Sequence, residues 1–301
     1  MPCVSSSCSS PWIEPREHRD RRGAGTSSSS GTERPPELRL TFLGTGTSFG
    51  VPVIGCTCAN CTSPDPRDRR TRHGALLTLD GGNLLIDTPP ELRLQLLAAG
   101  VDRVHAVWYT HLHADHVHGI DDVRIFSSRG RGPVPTYLPE ESRPEMESRF
   151  SYIFDDRVAV ARGTSKPKLE LATYVENVAV SVLGSEITPF RVPHGPVDAF
   201  GFRVGSLGYV TDAKRLPAAA RSILAGVETL VLNALWWGRP HPTHFNIEEA
   251  VEAARGIGAR RTFLTHLTHF VGYRELAAAL PPGIEPAYDG LVVDLAAPPA
   301  Q

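Results

Sequence analysis

Four metal-competent side chains, His111, His113, Asp115 and His116, fall within six residues of the stretch Thr110-His-Leu-His-Ala-Asp-His-Val-His-Gly119, and no other feature restricts the fold so tightly. The cluster follows the apolar, β-branched run Val104-His-Ala-Val-Trp-Tyr-Thr110, which reads as a buried strand. The histidines therefore sit at a strand end. On extended backbone, residues i and i+2 point to one side, so His111 and His113 face the same space. Asp115 and His116 reach that space if the chain turns into a helix there. Gly119 would let a second backbone pass close by. Imidazole with carboxylate suits zinc, iron or manganese, whereas a structural site is more often thiolate-rich and closed. The alternative is a solvated, His-rich surface loop.

A chain of 301 residues, 41% hydrophobic and 21% charged, can bury one substantial core. Its net charge of −2 gives no general pull toward nucleic acid or an anionic membrane. No apolar run approaches the ~18 residues of a spanning helix, and the N-terminus lacks the apolar centre of a secretory signal, so a cytoplasmic protein with no membrane partner is expected. Residues 1–36 are rich in Ser, Gly, Pro and Arg without hydrophobic periodicity; they read as a disordered tail or a mis-assigned start, ahead of one domain over 37–301. Cys3 and Cys8 lie in that tail. Cys56, Cys58 and Cys61 crowd too tightly for an ordinary disulfide framework.

Order begins at Leu38-Arg-Leu-Thr-Phe-Leu43, an alternating strand running into Gly44-Thr-Gly-Thr-Ser-Phe-Gly50. That spacing is not Gly-x-Gly-x-x-Gly and Pro52 soon interrupts, which favours a tight turn near an active site over a dinucleotide cradle. The C-x-C-x-x-C of Cys56, Cys58 and Cys61 looks like three quarters of a tetrahedral zinc site whose fourth ligand comes from elsewhere; reduced surface thiols are the alternative. Ala75 to Leu79 and Asn83 to Asp87 form a hairpin about Gly81-Gly82. A carboxylate ending an apolar strand needs partners. Asp87 either orients a metal-ligating histidine from behind or serves a helix N-terminus ahead of Pro89-Pro90-Glu91.

Further along, helices are expected over Glu91 to Ala99, Ile120 to Ser127, and Glu140 to Phe154 with a break near Pro144, and Val134 to Leu138 reads as an edge-like strand. Several short strands lie between 157 and 186. A strand from Ile187 delivers the lone His194, and the hairpin of Phe200 to Val204 with Leu207 to Asp212 ends on a carboxylate. After a helix segment at Arg221 to Ala225 and a buried strand at Val227 to Leu235, Asn246 and Glu249 fit a capping box for Ile247 to Arg255. Arg261 to Thr265 is a strand leading to His266 and His269, followed by a helix over Tyr273 to Leu280 and strand-like runs at Ile284 to Tyr288 and Leu291 to Leu295. Strands thus repeatedly end on ionisable residues: the His111 cluster, His194, Asp212 and His266. A layered α/β fold that gathers strand ends at one edge assembles them into one basin. Seven donors exceed the needs of one ion; two ions roughly 3.5–4 Å apart, sharing a carboxylate, serve hydrolytic attack on phosphoryl or acyl centres.

With these residues in view, the chain closely resembles the metallo-β-lactamase superfamily, whose His-x-His-x-Asp-His signature is present as His111, His113, Asp115 and His116. Within it, the chain most resembles the phosphoribosyl cyclic phosphate phosphodiesterases of the carbon–phosphorus lyase pathway. The likeness runs from about Leu40 to Leu295 and includes the opening Thr-Phe-Leu-Gly-Thr-Gly, the cysteine motif, Leu-Ile-Asp87, Pro-His194, Thr-Asp212 and Leu-Thr-His-Leu-Thr-His269. It implies an αββα sandwich: two mixed β-sheets face to face with helices outside. It implies that one divalent ion, zinc or manganese, takes His111, His113 and His194, that a second takes Asp115, His116 and His266, and that Asp212 bridges them. A structural zinc would take Cys56, Cys58, Cys61 and His269. His244, with Asp115, would be catalytic, His244 stabilising charge and protonating the departing oxygen. His118 and His241 have no counterpart and are expected to face solvent.

The implied reaction is opening of a small cyclic phosphodiester, such as phosphoribosyl 1,2-cyclic phosphate, by metal-activated hydroxide. Related enzymes are commonly homodimers. Asn233 departs from the pattern, standing where the family often has an acidic residue. Two other readings share the signature. A transfer-RNA 3′-processing endonuclease usually carries a basic, glycine-rich arm, and Ser128-Arg-Gly-Arg-Gly132 is too short for one, so nucleic acid is not the expected partner. A non-catalytic, zinc-stabilised accessory protein, like the pyrroloquinoline quinone biosynthesis relatives, shares the cysteine motif but tends to have eroded active-site ligands.

Overall fold

The computed structural model describes residues 38–128, 132–159 and 161–295. The tail expected at 1–36, and most of the Ser128 to Gly132 segment, lie outside the described residues. In chain order, β1 (Arg39–Gly44), β2 (Gly74–Leu79), β3 (Gly82–Ile86), β4 (Ala106–Trp108), β5 (Val134–Pro139) and β6 (Leu169–Tyr174) build one sheet. A second holds β7 (Val180–Val182), β8 (Ser185–His194), β9 (Val197–Val204), β10 (Leu207–Tyr209), β11 (Thr229–Asn233), β12 (Arg261–Thr265) and β13 (Ile284–Pro286). The last strand, β14 (Val292–Asp294), returns to the first sheet and pairs with β1.

Alternation along each strand explains the layers. In β4, Ala106 and Trp108 enter the core between the sheets while Val107 faces outward beneath helices, so the whole run is apolar because both faces are covered. The shared core stacks Trp108 on Tyr174 with ring centroids 4.2 Å apart. Phe200, Phe202, Tyr209 and Phe263 complete it from the second sheet. Outside the first sheet lie Leu92, Leu96 and Met146 of the helices Leu92–Ala98 and Arg143–Arg149. Outside the second lie Leu224, Ala250 and Leu276 of Ala218–Leu224, Ile247–Ile257 and Tyr273–Ala279. This is the expected αββα order.

Strand direction positions the site. β3 to β6 run parallel, and two antiparallel pairings in succession set β1 in the same sense as β3. In the second sheet β8, β10, β11 and β12 share one direction. The C-terminal ends of these strands gather at one edge of each sheet.

Several local expectations are corrected. β5 is interior, flanked by β4 and β6. Its Pro135 read as an edge marker, but pairing with β4 is recorded only at Thr136 and Tyr137, so the proline stands outside that ladder. The break in the Glu140 to Phe154 helix falls at Phe150, because Pro144 sits in the first turn of Arg143–Arg149, where a missing N–H costs nothing. The helix read from Arg221 begins at Ala218. The capping box at Asn246 and Glu249 is present in full.

Candidate active site

The loop after β4 carries the signature. His111 and His113 leave extended backbone side by side, with His111 Nε2 3.1 Å from His113 Nδ1. The chain then makes one helical turn, Ala114–Val117, which lifts Asp115 and His116 into the same space. Gly119 permits this: a Cβ there would lie 2.1 Å from the Pro89 carbonyl. Its N–H donates to Thr88 O, and Thr88 N–H to His116 O, at 2.8 and 2.7 Å.

Asp87, Asp212 and His266 each follow a strand and each adopt left-handed backbone, with φ of 59°, 53° and 58°. Such conformations are costly for non-glycine residues and collect at functional sites. The bend turns each side chain out of the strand's alternation, Asp212 and His266 into the basin and Asp87 toward the back of His116. Of the two roles open to Asp87, the structure selects the one behind the histidine. Its carboxylate accepts from Thr110 N–H at 2.8 Å and Thr110 Oγ1 at 2.9 Å, and lies 2.7 Å from His116 Nδ1. That partner directs His116 Nε2 toward the basin. Asp87→Asn keeps the size and the tolerance for left-handed backbone but weakens this grip. A loss of roughly 10–100-fold in metal affinity is expected, read by titration against a competing chelator.

Around the basin, Asp212 Oδ2 lies 3.7 Å from His111 Nε2, 3.6 Å from His194 Nε2 and 3.4 Å from His116 Nε2, while Oδ1 is 3.3 Å from His266 Nε2. His194 Nε2 is 3.1 Å from His113 Nδ1, and Asp115 Oδ2 is 3.6 Å from His116 Nε2 and 3.9 Å from His266 Nε2. The structure therefore brings together all seven donors named from sequence, in two groups that meet at Asp212. The donor set fits two divalent ions. Nitrogens bound tetrahedrally to one zinc stand roughly 3.3 Å apart, close to the observed spacing. The buried Nε2 atoms of His116 and His266 have no hydrogen-bond partner among the described residues, a costly arrangement that a metal would relieve.

His244 joins the same space, its Nε2 3.4 Å from Asp212 Oδ2 and its ring stacked on His266 at 4.9 Å. His241 departs from the solvent-facing expectation. It is half-buried, with its ring 5.1 Å from His244 and 5.5 Å from Trp236. His118 is exposed, as expected. Asn233 is buried and accepts from Ala213 N–H at 2.7 Å, which holds the turn following Asp212. His73 was not singled out by sequence reasoning. Fully buried beneath the site, it lies 2.6 Å from Tyr209 Oη and 3.2 Å from Thr265 Oγ1, with ring contacts to His116 and His266. A histidine at the end of an arginine-rich stretch carries no local sign of such a place.

The second donor group is equally compact. Cys56, Cys58 and Cys61 Sγ lie 3.4, 3.5 and 3.6 Å from His269 Nδ1. Tetrahedral zinc bonds of about 2.3 Å to sulfur and about 2.0–2.1 Å to nitrogen place those atoms roughly 3.6 Å apart, so the four donors fit a zinc ion. The Cys61 backbone N–H, aided by His269, brings Cys58 down to about 6, while burial pushes Cys61 up to about 11. Arg70, buried to 1% exposure, donates to the carbonyls of Thr268 at 2.8 Å and Val271 at 3.0 Å, clamping the His269 turn from behind.

Burial holds His73 and His111 well below the ordinary histidine range, and lowers His113, His194 and His244 as well. His116 goes the other way: against burial, Asp212, Asp115 and Asp87 hold it well above that range. A histidine with a depressed folded pKa takes its proton first in the unfolded chain, where the pKa is about 6.5. Its contribution to stability is complete above that pH and is lost as pH falls toward the folded value. The depressed group outnumbers His116. Chelator-treated protein is therefore expected to melt at steadily lower temperature as the pH is lowered from about 7 to 5; a flat or rising melting temperature would contradict this balance.

Residues 82–267 match a family described as a beta-lactamase superfamily domain. The crystal structure of a diphosphatase from the PhnP family is 38% identical, with a TM-score of 0.78 over 86% of this chain and 98% of that one. A ribonuclease Z from Mycobacterium sp. (strain KMS) is 26% identical over 254 residues, covering 76% of this chain and 84% of that protein. An octanoyltransferase from Porphyromonas gingivalis (strain ATCC BAA-308 / W83) is 35% identical over 256 residues, 84% of this chain. This chain spans about half of that relative, 51% of its length.

Proposed function

The chain belongs to the beta-lactamase superfamily and is a metal-binding hydrolase of that fold, and from that premise we propose that it hydrolyses a small phosphodiester, with a cyclic ribose phosphate as the leading candidate. The observation that carries the reading is the meeting of two imidazole–carboxylate groups at one buried carboxylate, Asp212, with two orphaned imidazole nitrogens aimed at it. His111, His113 and His194 would hold one divalent ion, Asp115, His116 and His266 the other, and Asp212 would contact both. Such ions, zinc or manganese, supply Lewis-acid polarisation of phosphoryl oxygens and water of lowered pKa.

The protein's own groups do the rest. His244 Nδ1 lies 2.7 Å from Thr243 Oγ1. When that hydroxyl donates, the imidazole proton sits on Nε2, on the side facing Asp212 and the basin. Burial lowers the His244 pKa, so the neutral imidazole would act as an Nε2–H hydrogen-bond donor to a phosphoryl or departing oxygen, a contribution of roughly 10²–10³-fold. The nearby arginines do not meet the phosphate: Arg191 is engaged by Glu141, Glu176 and Asp198, and Arg149 by the Leu112 carbonyl and Glu145. Bound ions would supply the positive charge at the phosphorus, and the His244 N–H a hydrogen bond.

The test is a turnover panel on metal-loaded, full-length protein: ribose 1,2-cyclic phosphate, 2′,3′-cyclic nucleotides, an aryl phosphodiester, a nucleoside diphosphate and a transfer-RNA precursor. Cyclic and aryl diesters are expected to be cleaved. No cleavage of any phosphodiester above a metal-only control would overturn the reading. A second reading, hydrolysis of a phosphoanhydride, is supported by the 38% identical structure described as a diphosphatase; preferential cleavage of the nucleoside diphosphate would select it. An octanoyl-group donor added to the panel tests the activity named for the longer relative; octanoyl transfer without phosphodiester cleavage would select it.

A further inference from the structure

Two clefts flank the donor cluster, and they differ in chemistry. The one beside His111 and His113, about 220 Å³, is walled by Glu141, Arg149, Arg191 and Asp198, whose charges are largely paired with one another and with neighbours. The other, about 380 Å³, opens beside His244 and His266; among the described residues its walls hold no acidic or basic side chain other than histidine, and they include Phe49, Trp236 and Phe270. Phe49 and Phe270 are 73% and 61% exposed. Large aromatic surface left open beside a reaction centre is the expected lining of a ligand pocket.

The aromatic wall is continuous with the chemistry. Ring contacts run from His266 to His244 at 4.9 Å, to His241 at 5.1 Å, to Trp236 at 5.5 Å and to Phe270 at 5.8 Å. The wall is also anchored. The His269 ring, whose Nδ1 faces the three cysteine sulfurs, lies 4.2 Å from the Phe270 ring, and Val53, which also lines the cleft, donates its N–H to Cys61 Sγ at 3.3 Å. Two parts of the lining therefore hang on the cysteine–histidine cluster, a preorganised frame. The C–H edge of a ribose covers such a surface only in part, whereas a planar base covers it with its whole π-face.

We propose that this cleft is a nucleobase subsite, so that the substrate is a nucleotide ester whose phosphate lies at His244 and His266 and whose base stacks on Phe270 and Phe49. The inference rests on the phosphodiester reading for the reaction, but the subsite is tested by binding. Calorimetry on metal-loaded, full-length protein compares adenosine 5′-monophosphate with ribose 5-phosphate, which lacks the base. Base–aromatic stacking predicts a binding advantage of roughly 5–150-fold for the nucleotide. In Phe49→Ala/Phe270→Ala the ratio is expected to collapse toward one, and Phe270→Trp to restore it.

Equal binding by the unmodified protein, or a ratio unchanged in the double variant, overturns the subsite. So does an equal ratio accompanied by a dimer that dissociates in Phe49→Ala, which would assign the rim to a second copy of the chain. Turnover of 2′,3′-cyclic adenosine monophosphate and base-free ribose 2,3-cyclic phosphate separates the two ideas. Base-dependent binding without cleavage of either leaves the subsite and removes the phosphodiesterase. Equal binding with equal cleavage does the reverse.

Discussion

Replacing Asp212 by alanine is expected to lower hydrolytic turnover by at least on the order of 10³-fold, beyond the usual loss of a single oxyanion-stabilising donor. The reason is geometric. Among the described residues, Asp212 is the one carboxylate that lies within 3.7 Å of His111, His116, His194 and His266 together. Burial would raise its pKa, yet His266 and His116 hold it well below the carboxylate range, so it stands as an anion at the centre of the histidines. Its removal would leave each of the two proposed ion sites one donor short and takes the counter-charge from the imidazoles. Elemental analysis of the purified variant should show loss of metal from the histidine cluster and retention of the ion at the cysteines. Asp212→Ala with unchanged metal content and turnover would sink the paired-ion reading.

Cys58→Ser is expected to act on a different ion and first on stability. The variant should lose one metal per chain and melt at least about 10 °C lower. Closed zinc sites contribute roughly 10–16 kcal/mol of apparent binding free energy in small domains, and each kcal/mol corresponds to about 2–4 °C in a chain of this class. The figure is set at the low end because Arg70 and Asp68 hold the same turn independently: Arg70 bonds the Thr268 and Val271 carbonyls, and Asp68 accepts from Tyr273 N–H at 2.7 Å. Activity should fall too, since His269 and His266 share one short segment after β12. Unchanged metal content and a melting temperature within about 2 °C would mean that the cysteines are packing residues.

Much of this was legible in the chain. Apolar, β-branched runs interrupted by turn residues marked most strands, because burial on both faces leaves a continuous signature, as in Val104 to Tyr109. The His-x-His-x-Asp-His spacing put four donors in one place, since a strand end followed by one helical turn is local geometry. Other features were not local. Val134 to Pro139 looked like an edge because its prolines are visible in sequence, whereas the strands on either side of it are not. The two closing runs read alike, yet β13 joins one sheet and β14 the other.

By itself the sequence determined the inventory: which side chains can bind a metal, that strands present them, and that three cysteines need a fourth partner. Their grouping was expected only through the family resemblance, and the tertiary structure alone decided how they meet and what supports them. Strand order brings His194, Asp212 and His266 to the edge where the His111 loop ends. It also sets Asp87 behind His116, His73 against the rings of His116 and His266, and His241 against the aromatic wall. The physical reason is that side-chain direction at these positions is set by left-handed bends at Asp87, Asp212 and His266. Those conformations are unfavourable for such residues alone and persist because two packed sheets hold the chain on either side of them.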